Sequence, residues 1–395
     1  MITFEEAIIA VLKKARPLAP EAVRIEEAVG RALAEDVRAA VEMPPFDKSA
    51  VDGWALRAAD LAKGRGLRRR PGLVQAGENF RGRLRAGECV KIMTGAPVPP
   101  GADAVMMVEY SSEADGRVGF SRGIKKGGNI ARRGEDIKKG QVVLRRGAVI
   151  GPQHIAVLAA AGRARVSCGA LPSVALVNTG GEIVPPGARR PRFGIYNSNG
   201  PMLSALLRGD GVSAEPVIVK DEPRVLRAAL ARALKSDITV VSGGVSMGDY
   251  DLVPGTLESL GVKKVFHNVR VRPGKPMFFG VKGRRLVFGV PGNPLANFLA
   301  YLAYIGPAIR KMAGRPDHGP EFRDGTCAAK FDPRTARRAM TLSLVKTRAE
   351  HALSPLGHSG SADILALAGA RAFTAVPEGG AVKKGGKAKF LTWEE

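Results

Sequence analysis

Residues 237–249 read Asp-Ile-Thr-Val-Val-Ser-Gly-Gly-Val-Ser-Met-Gly-Asp. The apolar run at 238–241 predicts a buried strand, and Ser242-Gly243-Gly244 follows it directly. Glycine lets the main chain approach a ligand closely, and the exposed N–H groups of such a turn suit an anion. Two carboxylates, Asp249 and Asp251, come next. This order indicates a ligand loop at the carboxyl edge of an α/β sheet.

Two further loops lie in the same part of the chain. Arg272-Pro-Gly-Lys-Pro276 places two cations on a rigid turn, and Pro291-Gly-Asn-Pro294 ends another predicted strand. Any one of these loops alone is also typical of an ordinary strand-end turn. Together, the anion-binding backbone, the acidic side chains and the paired cations indicate a site for a phosphorylated substrate with a divalent ion.

The bulk composition is that of a soluble globular protein, with 395 residues of which 45% are hydrophobic. No apolar run reaches the ~18–20 residues that a membrane helix needs. The start, Met-Ile-Thr-Phe-Glu-Glu, lacks the layout of a signal peptide, so we predict a cytoplasmic protein without membrane contact. Cys89, Cys168 and Cys327 lie far apart, which indicates neither a disulfide framework nor a zinc site.

The charge is strongly positive, because 61 Lys and Arg residues stand against 37 Asp and Glu residues and give a net charge of +24. Such an excess suggests anionic partners or an anionic substrate. Nucleic acid is one candidate, but the basic residues are spread along the chain and only 5% of residues are aromatic. A base-stacking surface is therefore not indicated, and the charge favours an anionic small molecule over nucleic acid.

The chain predicts an α/β multidomain fold, since its character changes several times along its length. From residue 173 onward strands and helices alternate, as in a doubly wound α/β domain. Residues 70–135 are β-prone and rich in turns, which predicts a β-rich arm. The expected domains are 1–40 with 140–170 as a discontinuous helical/mixed unit, 41–139 as the β-rich arm, 171–314 as the α/β domain, and 315–395 as a small C-terminal β-domain.

The apolar spacing also predicts individual elements. Helices are expected over residues 4–14, 25–33, 152–161, 202–207, 223–234 and 295–311, the last bent or broken near Pro307. Strands are expected over residues 104–109, 165–167, 174–177, 215–219, 238–241, 340–345, 373–376 and 388–391.

A second polar stretch, Pro44-Pro-Phe-Asp-Lys-Ser-Ala-Val-Asp-Gly-Trp-Ala55, lies near the amino terminus. Its prolines stiffen the chain, and Asp52-Gly53 is typical of a turn. Two carboxylates and a hydroxyl beside Phe46 and Trp54 suit a half-buried polar site. A capped turn with an aromatic anchor explains the same residues equally well.

Seven motifs, taken in order, resemble one known family over essentially the whole chain. They are Pro44-Pro-Phe-Asp-Lys-Ser-Ala-Val-Asp-Gly-Trp-Ala55, Ile92-Met-Thr-Gly-Ala-Pro97, Arg133-Gly-Glu-Asp-Ile137, Thr179-Gly-Gly-Glu182, Ser242-Gly-Gly-Val-Ser-Met-Gly-Asp249, Arg272-Pro-Gly-Lys-Pro276 and Pro291-Gly-Asn-Pro294. Each motif is modest alone, but the set in this order is specific. The chain is similar to the molybdopterin molybdenumtransferases, the bacterial MoeA type whose eukaryotic relative is the gephyrin E domain.

The resemblance implies both an architecture and a reaction. It implies an elongated protomer of four domains, in which 171–314 binds molybdopterin, and a homodimer whose sites lie between the α/β domain of one subunit and the β-arm of the other. It implies that adenylylated molybdopterin and molybdate give molybdenum cofactor and AMP, with a divalent cation, usually Mg²⁺. A contact with the molybdopterin adenylyltransferase, which supplies the substrate, is implied as well.

The resemblance assigns site residues by position. The acidic positions expected to act in catalysis are Asp52, Asp136, Glu182, Asp221, Asp249 and Asp251, of which Asp249 and Asp251 would hold the metal. The positions expected to bind substrate are Thr94, Ser242, Gly243, Gly244, Ser246, Arg272, Lys275, Pro291, Pro294 and Ser361. The chemistry is electrostatic positioning of phosphates and a dianion. Because the dithiolene of the substrate supplies the sulfur ligands, scattered cysteines fit this reaction.

The chain departs from the family pattern at several positions. Gly181 stands where the family often has Asp, and Arg272 replaces a lysine but keeps the charge. The sequence after Pro294 reads Leu-Ala-Asn-Phe, where small residues and often a serine are usual. Ser361 is the best match to a serine near the oxyanion, while no arginine in 340–345 matches the family's arginine there.

The same scaffold allows a second function. A protein that binds molybdopterin or a partner without turnover, as the scaffolding use of the gephyrin E domain suggests, would share the fold. The retained acids and Lys275 favour catalysis, because a scaffold has no need to keep acids and cations in one site. The choice between molybdenum and tungsten stays open, since the two oxyanions have nearly the same size and charge.

Overall fold

The computed structural model describes residues 1–62, 66–245, 252–347 and 351–393. It is a mixed α/β fold, which confirms the predicted class at that level. The helices are α1 (Phe4–Lys14), α2 (Ala58–Leu61), α3 (Pro152–Ala160), α4 (Asn199–Gly209), α5 (Pro223–Ala233), α6 (Leu252–Ser259), α7 (Pro294–Ala300), α8 (Gly306–Met312) and α9 (Ile364–Gly369). The strands are β1 (Pro20–Arg24), β2 (Val37–Arg38), β3 (Lys48–Ser49), β4 (Gly53–Leu56), β5 (Leu67–Val74), β6 (Glu88–Ile92), β7 (Ala104–Met107), β8 (Ser111–Ala114), β9 (Arg117–Phe120), β10 (Ile130–Ala131), β11 (Val142–Leu144), β12 (Arg165–Gly169), β13 (Val174–Thr179), β14 (Ile183–Val184), β15 (Ile195–Tyr196), β16 (Pro216–Val219), β17 (Ile238–Ser242), β18 (Lys263–His267), β19 (Val271–Arg272), β20 (Phe278–Lys282), β21 (Arg285–Val290), β22 (Phe322–Cys327), β23 (Arg338–Thr347), β24 (His351–Pro355), β25 (Ala372–Val376) and β26 (Lys387–Thr392).

The central sheet has the strand order β16-β13-β17-β21-β20-β18. The first four strands run parallel, and β20 and β18 complete the sheet as antiparallel neighbours. Helices α1, α4, α7 and α8 pack on one face, and α5 and α6 pack on the other. Parallel strands are buried in this way because their crossover helices cover both faces. The carboxyl ends of β13, β16, β17 and β21 therefore meet at one edge.

The first helix packs on this central layer. Its amino terminus carries a capping box, in which Thr3 and Glu6 exchange hydrogen bonds between side chain and backbone. Phe4 contacts the Tyr304 ring at a centroid distance of 5.6 Å and the Phe322 ring at 6.4 Å. Helix α1 thus shares the core of α7 and α8, whereas the next strand, β1, pairs with β12.

The amino-terminal half contains a separate sheet of order β7-β4-β6-β5-β9-β8. Its anchor is Trp54, which is 2% exposed and donates its indole N–H to Ser111 Oγ at 3.0 Å. Phe46, by contrast, is exposed. The pairs β1–β12 and β2–β11 join segments that precede and follow this sheet in sequence.

The carboxyl-terminal strands form a small barrel. The order β23-β24-β22-β26-β25 closes on itself because β25 also pairs with β23. Strand β19 adds to this barrel in parallel, with Val271 opposite Arg338 and Arg272 opposite Ala339. The cationic turn after β19 is therefore attached to the barrel as well as to the central sheet.

Two predicted helices differ from the observed ones. Residues 25–33 were expected to be helical, but only Ile25–Glu27 form a short 3₁₀ turn. Gly30 has a positive φ of 82°, and Ala32 and Leu33 make bridges to Val149 and Cys168, so pairing with distant strands outweighs local propensity. The helix expected over 295–311, bent or broken near Pro307, is not broken. A π-helical turn at Tyr301–Ile305 joins α7 to α8 just before Pro307, which has no N–H to donate.

The helices do not resemble membrane spans. Within the described ranges, no helix combines the length and the apolar content that crossing a bilayer requires.

Candidate active site: two adjoining cavities

A cavity of about 530 Å³ opens at the carboxyl edge of the central sheet. We call it the acidic cavity, because the charged side chains among its described lining residues are those of Glu182 and Asp221. It also contains the ends of β13 and β17 and the loop after β21. Its lining residues are Thr179, Gly180, Glu182, Ile183, Ile195, Tyr196, Asn197, Ser198, Asn199, Asp221, Ser242, Gly243, Gly244, Gly292, Asn293, Pro294, Ala362 and Ile364.

Strand register brings these loops together. Asn178 lies opposite Ser242 in the β13–β17 pair, and Ser242 lies opposite Val290 in the β17–β21 pair. The three strands therefore end at the same level, and each is followed by a glycine-containing turn. Gly243 and Gly244 both have positive φ, of 101° and 61°, a conformation that favours glycine.

The Gly243 turn is held more tightly than the sequence suggested. The Gly243 amide donates to the Val290 carbonyl at 3.0 Å, and the Val253 amide donates to the Gly244 carbonyl at 3.3 Å. In the turn expected to offer N–H groups to an anion, the Gly243 donor is therefore used inside the sheet edge, although Gly243 and Gly244 both line the cavity. A glycine at 243 allows the turn to lie close to the end of β13, since a Cβ there would lie 2.5 Å from the Thr179 carbonyl oxygen.

A buried amide supports the floor of the acidic cavity. Asn199 is 9% exposed, and its Nδ2 donates to the Gly292 carbonyl at 2.6 Å and to Ser242 Oγ at 3.2 Å. Within the described ranges, Asn199 Oδ1 and Thr179 Oγ1 are buried without a hydrogen-bond partner. Polar groups rarely stay unpaired in a core, so their position below a cavity is a sign of a binding site.

A second cavity, of about 560 Å³, lies between the central sheet and the small barrel. We call it the basic cavity. It is lined by Arg272, Lys275, Arg337 and His358, and none of its described lining residues is acidic. Pro291 and Ser361 line it too.

The cations of the basic cavity lack the acidic partners that neighbouring arginines have. Arg270 pairs with Glu378 at 2.8 Å, and Arg338 pairs with Glu5 at 3.0 Å. No carboxylate in the described ranges lies within ion-pair distance of Arg272, Lys275 or Arg337. Arg337 is half-buried, and its Nη1 donates a long hydrogen bond to the Val271 carbonyl at 3.5 Å. Such a cluster repels itself unless an anion binds.

The two cavities share a wall. Asn293 lines both of them, and its Nδ2 donates to Ser361 Oγ at 2.8 Å. The Leu295 amide donates to the Ser361 carbonyl at 3.2 Å, so the loop after β24 is joined to the start of α7. Pro294, the first residue of α7, is buried in the acidic cavity's wall.

Other expected site residues lie elsewhere in the chain. Asp52 Oδ1 accepts from the Thr94 amide at 2.7 Å and from Thr94 Oγ1 at 2.9 Å. The bond from the Thr94 amide, and to a smaller extent that from its hydroxyl, lowers the pKa of Asp52. Asp136 is exposed, and its amide donates to the Met43 carbonyl at 3.0 Å. None of these three residues lines either cavity.

Three expected residues, Ser246, Asp249 and Asp251, lie outside the described residues. Among those that are described, no group of three or more His, Cys, Asp or Glu side chains is arranged to hold a metal ion.

Sequence reasoning missed several polar residues of the cavities, and four of them matter most for the site. Arg337 and His358 line the basic cavity, Asn199 supports the acidic cavity, and Asn293 belongs to both. Asn293 stood in the quoted motif Pro291-Gly-Asn-Pro294 at the end of a predicted strand, so its position gave a signal, whereas Asn199 stood in none of the quoted motifs. Arg337 carried none, because only the β19–β23 pairing brings it to Arg272.

Comparisons with known proteins agree with this geometry. Residues 2–162 match the profile of the MoeA N-terminal region (domain I and II), and residues 175–311 match that of a probable molybdopterin binding domain. A molybdopterin molybdenumtransferase of Staphylococcus epidermidis is 31% identical over 388 residues, covering 96% of this chain and 92% of that protein. The same enzyme of Staphylococcus aureus strain Mu50 is 33% identical over 392 residues, with the same coverage of both chains.

A solved structure also matches over its full length. The molybdopterin biosynthesis MoeA protein of Pyrococcus horikoshii superposes with a TM-score of 0.85 at 28% identity, covering 100% of each chain. The sequence, the fold and the relatives lead to one assignment. This chain belongs to the molybdopterin molybdenumtransferase family, a family of enzymes of molybdenum cofactor biosynthesis.

Proposed function

We propose that this chain inserts molybdate into adenylylated molybdopterin and releases AMP and molybdenum cofactor. The observation that carries the proposal is the separation of charge between two cavities that share Asn293. A dianion is attracted to the basic cavity, where cations lack acidic partners. A larger phosphorylated substrate and a divalent cation suit the acidic cavity, which offers carboxylates and hydroxyls.

In the acidic cavity the oxygen donors suit Mg²⁺. Glu182 and Asp221 supply carboxylates, and hard cations such as Mg²⁺ prefer oxygen ligands. We assign the metal to Asp249 and Asp251, as the family pattern suggests, with Glu182 and Asp221 facing the same ligand. When bound, the ion would neutralise charge on the phosphoanhydride that links molybdopterin to AMP. Ser242, Gly244 and Ser246 would position the phosphates.

In the basic cavity Arg272 and Lys275 would hold the oxyanion. An arginine can donate two parallel hydrogen bonds to an oxyanion, which suits Arg272 in place of the family's lysine. Ser361 supplies a hydroxyl, and Pro291 shapes the cavity wall. Holding molybdate here, next to the shared wall, would bring it close to the substrate in the acidic cavity.

A homodimer would complete the site. Asp52 and Thr94 are hydrogen-bonded to each other, yet with Asp136 they line neither cavity of their own chain. We propose that they face the acidic cavity of a second copy. We further propose that the protein works in the cytoplasm and receives its substrate by contact with the molybdopterin adenylyltransferase.

We propose four domains with the bounds predicted above. The pairing of β1 with β12 and of β2 with β11 supports joining 140–170 to the part of 1–40 that follows α1, while α1 itself packs with α7 and α8. The β-rich sheet within 41–139, the central sheet within 171–314 and the barrel within 315–395 support the other three.

The test measures AMP release from adenylylated molybdopterin with Mg²⁺, with and without molybdate. We expect molybdate-dependent release by the wild-type protein and a loss of at least ~100-fold in Glu182→Gln. Asp324→Asn, an exposed carboxylate of β22, is the matched control and should keep full activity. Tight substrate binding without release would contradict the transferase and support the alternative, a non-catalytic molybdopterin-binding or scaffolding protein.

A further inference from the structure

Asn293 lies where the two cavities meet. It lines both, and with Ser361 it forms the wall between them. An anion in the basic cavity and a ligand in the acidic cavity would therefore approach each other across this residue. No other charged or amide side chain among the described lining residues belongs to both cavities.

Asn293 occupies a helix cap but does not act as one. It is the residue before α7 and has an extended backbone, yet its side chain accepts no hydrogen bond from the helix. An asparagine at this position ordinarily accepts from the backbone N–H two or three residues on, which stabilises the helix. Here the amide points away from the helix and towards Ser361.

The backbone around Asn293 is fixed independently of this side chain. Asn297 is fully buried and donates its Nδ2 to the Asn293 carbonyl at 3.1 Å and to the Pro291 carbonyl. Asn199 holds the Gly292 carbonyl at 2.6 Å, and the Leu295 amide holds Ser361. The Asn293 side chain can therefore leave Ser361 Oγ while the loop stays in place.

The hydrogen bond between Asn293 and Ser361 is also weak enough to be replaced by one to a bound anion. Both groups are neutral, and the bond is exposed to water. A hydrogen bond from the same amide to an oxyanion is charge-assisted and roughly twice as strong as a neutral one. A bound anion would thus compete successfully with Ser361 for Asn293 Nδ2.

We propose that Asn293 is a positioning residue that couples the two cavities. On binding of an oxyanion its Nδ2 moves from Ser361 to an anion oxygen, which places the anion against the ligand of the acidic cavity. Binding in either cavity then strengthens binding in the other, because one side chain position serves both ligands. The inference rests on the proposed function for the identity of the ligands.

Calorimetric titration of molybdate, with and without saturating AMP and Mg²⁺, tests the coupling. For the wild-type protein we expect AMP to lower the molybdate Kd about 5-fold or more. For Asn293→Ala we expect this factor to fall to about 1, while the Kd of AMP alone changes less than ~3-fold and the Kd of molybdate alone rises about 5–10-fold through loss of the charge-assisted hydrogen bond. In turnover assays kcat should fall ~10–100-fold, and each KM should rise by at least about the coupling factor that is lost. Asn293→Gln keeps an amide and should recover part of the coupling.

Ser361→Ala separates coupling from a merely structural role. This substitution removes the group that Asn293 contacts when no anion is bound. If the Asn293–Ser361 bond merely supported the structure, both variants would lose the coupling equally. Our proposal predicts that Ser361→Ala keeps the coupling factor even if it changes the molybdate Kd. A coupling factor near 1 in the wild-type protein, or one unchanged in Asn293→Ala, would overturn it. Wild-type AMP release that does not depend on molybdate would instead overturn the proposed function.

Discussion

Replacement of Gly243 by alanine should destabilise the protein strongly, for two reasons that can be read from the turn after β17. Its φ of 101° is one that L-residues rarely adopt, and holding alanine there costs about 1–3 kcal/mol. The added Cβ would also lie 2.5 Å from the Thr179 carbonyl oxygen and 2.9 Å from Thr179 Oγ1. Because Thr179 ends a paired strand, relief of that contact costs about 1–3 kcal/mol more. The expected loss is about 2–6 kcal/mol.

Gly181→Ala is the matched control, since it adds the same methyl group in a neighbouring loop. Apart from its two chain neighbours, no described residue has an atom within 4 Å of a Cβ built at Gly181, so we expect a change within about 0.5 kcal/mol. Scanning calorimetry and far-ultraviolet circular dichroism would compare the two variants with the wild-type protein. We expect the transition to fall by several degrees in Gly243→Ala and to stay in place in Gly181→Ala. Equal transitions in the two variants would refute the reasoning.

Other substitutions test the charges of the site. Arg337→Ala should raise the molybdate Kd about 10–100-fold, because it removes a charge-assisted hydrogen bond. Arg338→Ala is the control and should leave this Kd unchanged, because Arg338 pairs with Glu5 outside the cavity. Equal effects of the two substitutions in titration calorimetry would contradict this prediction. Gly181→Asp should fold normally and raise the Mg²⁺ affinity by adding a carboxylate between Gly180 and Glu182, which both line the acidic cavity, so an unchanged Mg²⁺ Kd would count against that metal site. Because its pKa is lowered in the folded protein, Asp52 in its ionised form stabilises the fold above about pH 4. This stabilisation is lost as the pH falls through the pKa of the folded protein. The difference in melting temperature between the wild type and Asp52→Asn should therefore shrink as the pH is lowered from about 7 to about 2.

Much of the secondary structure could be predicted because its signals are local. Helix α1 has its capping threonine, its apolar stripe and its basic last turn within consecutive residues. Helix α3 begins at Pro152 as predicted, and β13 and β17 coincide with apolar runs followed by glycine. Local signals failed over 25–33, where pairing with residues more than a hundred positions away replaced the helix.

For the candidate site, too, local motifs revealed some features and strand pairing decided others. The motifs carried Glu182, Ser242, Arg272 and Lys275, which the structure places on two adjoining cavities. They did not reveal that the Gly243 amide is already bonded, because its acceptor belongs to another strand.

The sequence by itself determined that the chain alternates strands and helices after residue 173, that the apolar runs ending at 177, 241 and 290 lead into turns with glycine or proline, and that the family's motifs follow in order. These properties depend on residues that are neighbours in the chain. Only the tertiary structure decided that Arg337 and Arg272 face one cavity and that Asn293 lies between two. Those positions follow from strand pairing and packing between segments far apart in sequence, and no local pattern fixes which segments meet.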